Sequence, residues 1–185
     1  TGSAMSRPPL ARESVLDAFE SILIDKGERF ATLDATAKAA GVSKGGLLYH
    51  FASKEALATG MLERLDVLMR EDLEAIANAP EGPVAYFLRS SITSGTPVDR
   101  AIVATTRLAQ GGDAASSAAL RDIRRQWADL IRPHVSDATA LDLVLLVSDG
   151  LYYNAALDGD GVAGPVPQGE ALDALIALVE RAARP

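Results

Sequence analysis

The chain has no cysteine and only two histidines among its 185 residues. The first absence excludes disulfides and thiolate metal sites and is compatible with a reducing cytoplasm, where the protein is expected to reside. The second leaves His50 and His134 too few and too separated for a metal cluster. Aromatics are sparse, with one tryptophan, four tyrosines and four phenylalanines, so each is informative about packing or recognition. The longest apolar run, around Leu143 to Val147, falls far short of the roughly 20 residues of a membrane span. No segment alternates as a half-buried strand does, and no internal repeat is visible. Neither a cofactor nor a membrane partner is expected.

What is present is helical periodicity along nearly the whole chain. Thr1-Gly2-Ser3-Ala4 ahead of Met5 looks like a vector-derived remnant and is set aside. A first helix carries Val15, Phe19, Ile22 and Leu23 on one face and ends near Gly27. A longer one carries Leu57, Met61, Leu65, Leu68, Leu73 and Ile76 and stops before Pro80. Pro80-Glu81-Gly82-Pro83 breaks the chain, a short helix is expected after it to about Thr93, and Thr96-Pro97-Val98-Asp99 reads as a capping box opening another to about Gln110. The next carries Leu120, Ile123, Trp127 and Ile131, and the last two span Asp137 to Leu157 and Glu170 to Arg184.

Between the first two long helices, residues 32–57 read TLDATAKAAGVSKGGLLYHFASKEAL. The pattern predicts two short helices joined across Gly41-Val42-Ser43, the layout of a helix-turn-helix DNA reader. Gly41 closes the first helix in the left-handed conformation, and Ser43 caps the second. Lys44, Gly45, Gly46, Tyr49 and His50 are expected on the exposed face, with Val42, Leu47 and Phe51 turned inward. Lys54 opens the next helix within reach of a phosphate. Phosphates are assigned to Thr32, Tyr49, His50 and Lys54, and the groove to Lys44.

Thr32, Ala37, Ala40-Gly41-Val42-Ser43, Tyr49-His50-Phe51 and Ser53-Lys54-Glu55-Ala56-Leu57 resemble, at matching spacings, the N-terminal signature of tetracycline-repressor-like (TetR family) regulators. The resemblance covers roughly residues 10 to 62. Two positions depart from it: Thr36 stands where an aliphatic residue is usual, and Gly46-Leu47-Leu48 departs from the commoner Gly-Thr-Leu-Tyr. The resemblance implies an all-α protein, with a three-helix helix-turn-helix domain over residues 5–55 and a helical effector-binding and dimerisation domain over 56–185. It also implies a homodimer that binds double-stranded operator DNA as an inverted repeat, most simply a repressor relieved by a small-molecule effector.

The net charge of −7 argues at first against a polyanionic partner, because phosphate binding rests on Lys and Arg. Its distribution removes the conflict. Arg7, Arg12, Lys26, Arg29, Lys38, Lys44 and Lys54 balance seven acids within residues 1–55, so the whole excess lies in residues 56–185.

Other motifs compete for a function. Gly41-Val42-Ser43-Lys44-Gly45 fits the G-x-S-x-G of a hydrolase nucleophile elbow, but that motif needs a strand-to-helix turn and the preceding residues are helical. Asp158-Gly159-Asp160-Gly161 resembles a calcium loop, yet Val162 and Ala163 follow and Gly169 stands where a bidentate glutamate belongs. No enzymatic activity is expected, and a helical hydrolase is the weaker alternative.

Phe87, Leu108, Trp127, Tyr152 and Tyr153 are candidates for an aromatic-walled effector cavity, with Arg107, Gln110, Asp149 and Asn154 as polar neighbours. Each can equally be core or solvated surface. On the last two helices, Leu151, Leu172, Leu175, Ile176 and Val179 are the candidate dimer interface, since the resemblance makes these the dimer helices. An effector-independent DNA-binding protein of the same fold is the closer alternative.

Overall fold

The computed structural model describes residues 8–156 and 164–184, so Arg7, Leu157, the Asp158–Gly161 motif and the residues ahead of Met5 lie outside the described residues. Among the described residues the regular structure is entirely helical. The α-helices are α1 (Pro8–Lys26), α2 (Leu33–Ala39), α3 (Lys44–His50), α4 (Lys54–Ala77), α5 (Pro83–Ser90), α6 (Pro97–Gln110), α7 (Ala114–Ile131), α8 (Ala138–Ala156) and α9 (Glu170–Ala183). Short 3-10 turns lie at Glu28–Phe30 and Arg132–His134.

Local chemistry sets these boundaries. Proline stands in the first turn of α5 and α6, where its missing N–H costs nothing. Thr32 and Ser53 cap α2 and α4 by accepting from Ala35 N at 3.2 Å and Ala56 N at 3.2 Å. Asp137 caps α8 through Ala140 N at 2.9 Å.

The chain forms two compact units, which are not consecutive blocks of sequence. Among the described residues, one comprises 8–68 and 97–121, the other 69–96, 122–156 and 164–184. In the first, Val15, Leu16, Phe19 and Leu23 of α1 pack with Ala37, Leu47, Phe51, Leu57 and Met61, and α6 adds Ala104 and Leu108 to the same core. Burying each of the large side chains contributes about 1.5–3 kcal/mol. Charged groups reinforce this packing. Glu20 of α1, almost fully buried, accepts from Arg100 Nε of α6 at 2.7 Å. Arg64 of α4 meets Glu13 at 2.6 Å and Asp17 at 2.7 Å. Burial opposes the charge on Glu13, but hydrogen bonds from Arg64 and Arg12 outweigh it and hold its pKa below the ordinary value.

In the second unit, Val84, Phe87 and Leu88 of α5 pack with Ile131, Leu141, Val144 and Leu151, and with Leu172, Ile176 and Val179 of α9. The residues expected at a dimer interface lie as follows within the single chain. Leu151, Leu172, Ile176 and Val179 are each only 3–4% exposed within the single chain, because α5, α8 and α9 pack on one another and take that apolar stripe into their own core. Leu175 is only partly buried. The large apolar side chains facing outward on α8 and α9 are Leu146, Tyr153 and Leu178.

Candidate nucleic-acid interface

The geometry of the turn follows from three residues. Gly41 adopts φ +68°, a conformation that costs a residue with a Cβ. Its N–H donates to Lys38 O at 3.3 Å, and Val42 N–H to Ala37 O at 3.0 Å, which closes α2 with a Schellman motif. Ser43, extended at φ −69° and ψ 155°, accepts from Gly46 N at 3.0 Å and starts α3.

Gly46 has a structural reason of its own. A Cβ there would lie 3.2 Å from Ser43 Oγ, so glycine leaves the cap unobstructed. The cost is one side chain fewer for reading bases.

The faces of α3 separate cleanly. Leu47 and Phe51 are buried, Val42 is half-buried, and Lys44, Gly45, Gly46, Leu48 and Tyr49 are exposed. Tyr49 reaches 82% exposure, and its ring meets the half-buried His50 ring edge-on at 5.1 Å between centroids. A hydroxyl, an imidazole and an ammonium are thus offered on one seven-residue helix. Beneath them Phe51 anchors the end of α3, with the Arg12 guanidinium over its ring at 5.3 Å.

The remaining polar groups have partners. Thr32 Oγ1 is the acceptor in the α2 cap and keeps its own O–H to donate. Lys44 pairs with Asp34 at 3.0 Å on the open surface. Lys54 donates to Glu28 Oε1 at 2.5 Å and to Glu28 O at 2.8 Å. The sequence contains no local sign of this last pair, whose members are 26 residues apart. At the same helix end, the Ser53 hydroxyl and the backbone N–H of Glu55 hold the exposed Glu55 carboxyl below its ordinary pKa.

The expected effector residues divide between the units. Arg107 and Leu108 belong to the first, where Leu108 is core and Arg107 bonds Gln110 at 3.3 Å. Phe87, Trp127, Tyr152 and Tyr153 belong to the second. There Phe87 and Trp127 meet at 5.8 Å, while Tyr153 is exposed. Asp149 is held by both terminal nitrogens of Arg124 at 2.9 and 2.6 Å, and Asn154 bonds Pro165 O at 3.2 Å. Among the described residues no group of three or more potential ligands is placed to hold a metal ion, and no helix is long and apolar enough to cross a membrane.

No protein of curated function matches the sequence. Solved structures do match in fold. A TetR-family protein from Rhodococcus sp. is 17% identical, with 94% of this chain and 98% of that one covered at a TM-score of 0.63. NalD, the secondary repressor of the MexAB-OprM multidrug efflux pump in Pseudomonas aeruginosa, is 16% identical, with 96% and 98% covered at 0.62. A gamma-butyrolactone receptor (ArpA-like protein) is 23% identical, with 97% and 91% covered at 0.62. At these identities the likeness establishes the fold. The sequence itself matches the family described as bacterial regulatory proteins, tetR family, over residues 15–61, the span that holds α2, the Gly41 turn and α3. The N-terminal segment thus matches the tetR family of bacterial regulatory proteins, and the chain as a whole shares the fold of the structures it resembles.

Proposed function

We propose that the protein is a dimeric transcriptional regulator that binds an inverted-repeat operator and is released from it by a small molecule. The observation that carries this reading is α3: capped by Ser43, anchored by Leu47 and Phe51, and presenting Lys44 and Tyr49 to solvent. A short helix held rigidly with polar groups outward is what entry into a major groove requires. Lys44 is assigned to a base edge, and Thr32, Tyr49, His50 and Lys54 to phosphates. The reading gives the protein no bond chemistry.

Dimerisation is assigned to the outward faces of α8 and α9, with Leu146, Tyr153 and Leu178 at the contact and Leu175 at its margin. A two-fold dimer puts two recognition helices on successive major grooves, about 34–36 Å apart. One of the structures of like fold is named a repressor and another a receptor, which supports an effector for this chain. The aromatic pair Phe87 and Trp127, beside the Asp72 carboxylate, favours an apolar or aromatic effector, with a cationic group tolerated best.

Selection from randomised duplex DNA tests the reading. Folded protein should enrich an inverted repeat; Lys44→Ala should change preference among the recovered sequences, and Tyr49→Ala should weaken binding to all of them. Failure to enrich any sequence overturns the assignment. A small molecule that shifts Trp127 fluorescence should change operator affinity roughly 5–150-fold, the usual range of allosteric coupling. If such ligands leave affinity unchanged, the effector-independent alternative replaces the induced one.

A further inference from the structure

Two lysines of the DNA-reading surface are paired with carboxylates, but the pairs differ in kind. Lys44 and Asp34 are 59% and 74% exposed in their side chains, and a pair so open to water contributes little and exchanges readily for another anion. Lys54 and Glu28 are only 29% and 30% exposed. Glu28 takes two of the three ammonium donors of Lys54, one through its carboxylate and one through its main-chain oxygen. Lys54 is also the first residue of α4, where the positive end of the helix disfavours an unpaired cation.

A third residue holds this arrangement. Gly111, just beyond α6, packs so closely that a Cβ on it would lie 2.7 Å from Glu28 Cγ and 3.0 Å from its Cδ. Its φ is outside the left-handed region, so what glycine supplies here is room.

We propose that Glu28 competes with DNA phosphate for Lys54, and that Gly111 gives the Glu28 side chain the space to do so. This rests on the DNA-binding reading above and concerns the strength of that same surface. A phosphate that takes the ammonium must displace the carboxylate or accept it as a like-charged neighbour. Either way the contact is weakened for every sequence alike, and the binding releases fewer counterions than Lys54 alone would provide. Affinity falls for operator and unrelated DNA together, so the ratio between them is unchanged.

The test uses the full chain, the operator recovered by selection and an unrelated duplex, with fluorescence anisotropy over a series of salt concentrations. Glu28→Gln should tighten binding to both duplexes by the same factor, roughly five-fold per subunit. It should also steepen the dependence of log affinity on log salt by about one per subunit. Gly111→Ala, which moves the side chain without altering its charge, should act in the same direction. In the Lys54→Ala background neither variant should change the slope. A Glu28→Gln or Gly111→Ala protein that is folded by circular dichroism but binds more weakly makes Glu28 a positioning residue and overturns the proposal. Unchanged affinity and slope overturn it too, by removing Lys54 from the phosphates. A wild-type protein that binds no selected DNA would sink the DNA-binding reading and this one with it, whereas inert variants of a binding protein sink this one alone.

Discussion

Trp127 donates its indole N–H to Asp72 at 2.9 Å, which puts the chain's single tryptophan against a half-buried carboxylate. Burial raises the pKa of Asp72 above its ordinary 3.8, and the indole hydrogen bond only partly offsets this. Folding therefore disfavours the charged form of Asp72 relative to the unfolded chain. Its contribution to stability is fully present below the ordinary value and is lost as pH rises through the folded one. Asp72→Asn keeps an acceptor for the indole without the charge. It should raise Tm at pH 7, with the gain disappearing as pH falls below 3.8. Melts followed by Trp127 emission at several pH values check this, and a gain that persists undiminished in acid would refute it.

Thr36 is fully buried in α2, and among the described residues its hydroxyl has no hydrogen-bond partner. An unpaired buried hydroxyl costs about 1–3 kcal/mol. Thr36→Val keeps the branched shape and removes the unpaired group, so it should stabilise the protein by about 1 kcal/mol, read by chemical denaturation. Destabilisation would show that the hydroxyl is satisfied in solution.

Gly60 lies inside α4, where alanine would ordinarily gain about 1 kcal/mol of helix propensity. Its position decides otherwise. A Cβ there would stand 2.8 Å from Phe51 Cε1 and 3.2 Å from Leu16 Cδ2. Overpacking of this kind costs about 1–3 kcal/mol. Gly60→Ala should therefore destabilise the protein by about 1 kcal/mol, and should weaken DNA binding as well, because Phe51 anchors α3. A more stable variant with wild-type binding would mean that Phe51 yields without consequence.

The outward and inward faces of α8 and α9 make opposite predictions. Leu178→Glu and Leu146→Glu place charge on exposed positions. They should leave the circular dichroism melt nearly unchanged while giving monomers in sedimentation. Ile176→Glu puts charge into the core and should unfold the chain at moderate temperature, since an unpaired buried charge costs several kcal/mol. Dimers that survive both exposed substitutions would place the interface elsewhere.

The helix starts and stops were legible because their causes are local. Pro97, Ser43 and the Gly41 turn act on residues no more than five positions away, and the expected spans of α6, α8 and α9 agree with the observed ones within one residue or two. The inward set Leu47 and Phe51 was legible for the same reason, through helical spacing from the cap. The apolar stripe of α9 was legible as a stripe, but not which surface it packs against. Leu172, Ile176 and Val179 would look identical whether they met a second chain or their own α5.

By itself the sequence determined an all-helical chain with a capped short helix after the Gly41 turn, since hydrogen bonds such as that from Gly46 N to Ser43 Oγ close over three residues. Only the tertiary structure decided that α6 shares a core with α1, that Glu20 meets Arg100 across 80 positions, and that Lys54 is held by Glu28. Such contacts depend on where the packing of large side chains brings distant backbone together. Apolar and charged patterns narrow those meetings, but the choice among them is made by packing, which fills space in one way and leaves Lys54 and Glu28 face to face.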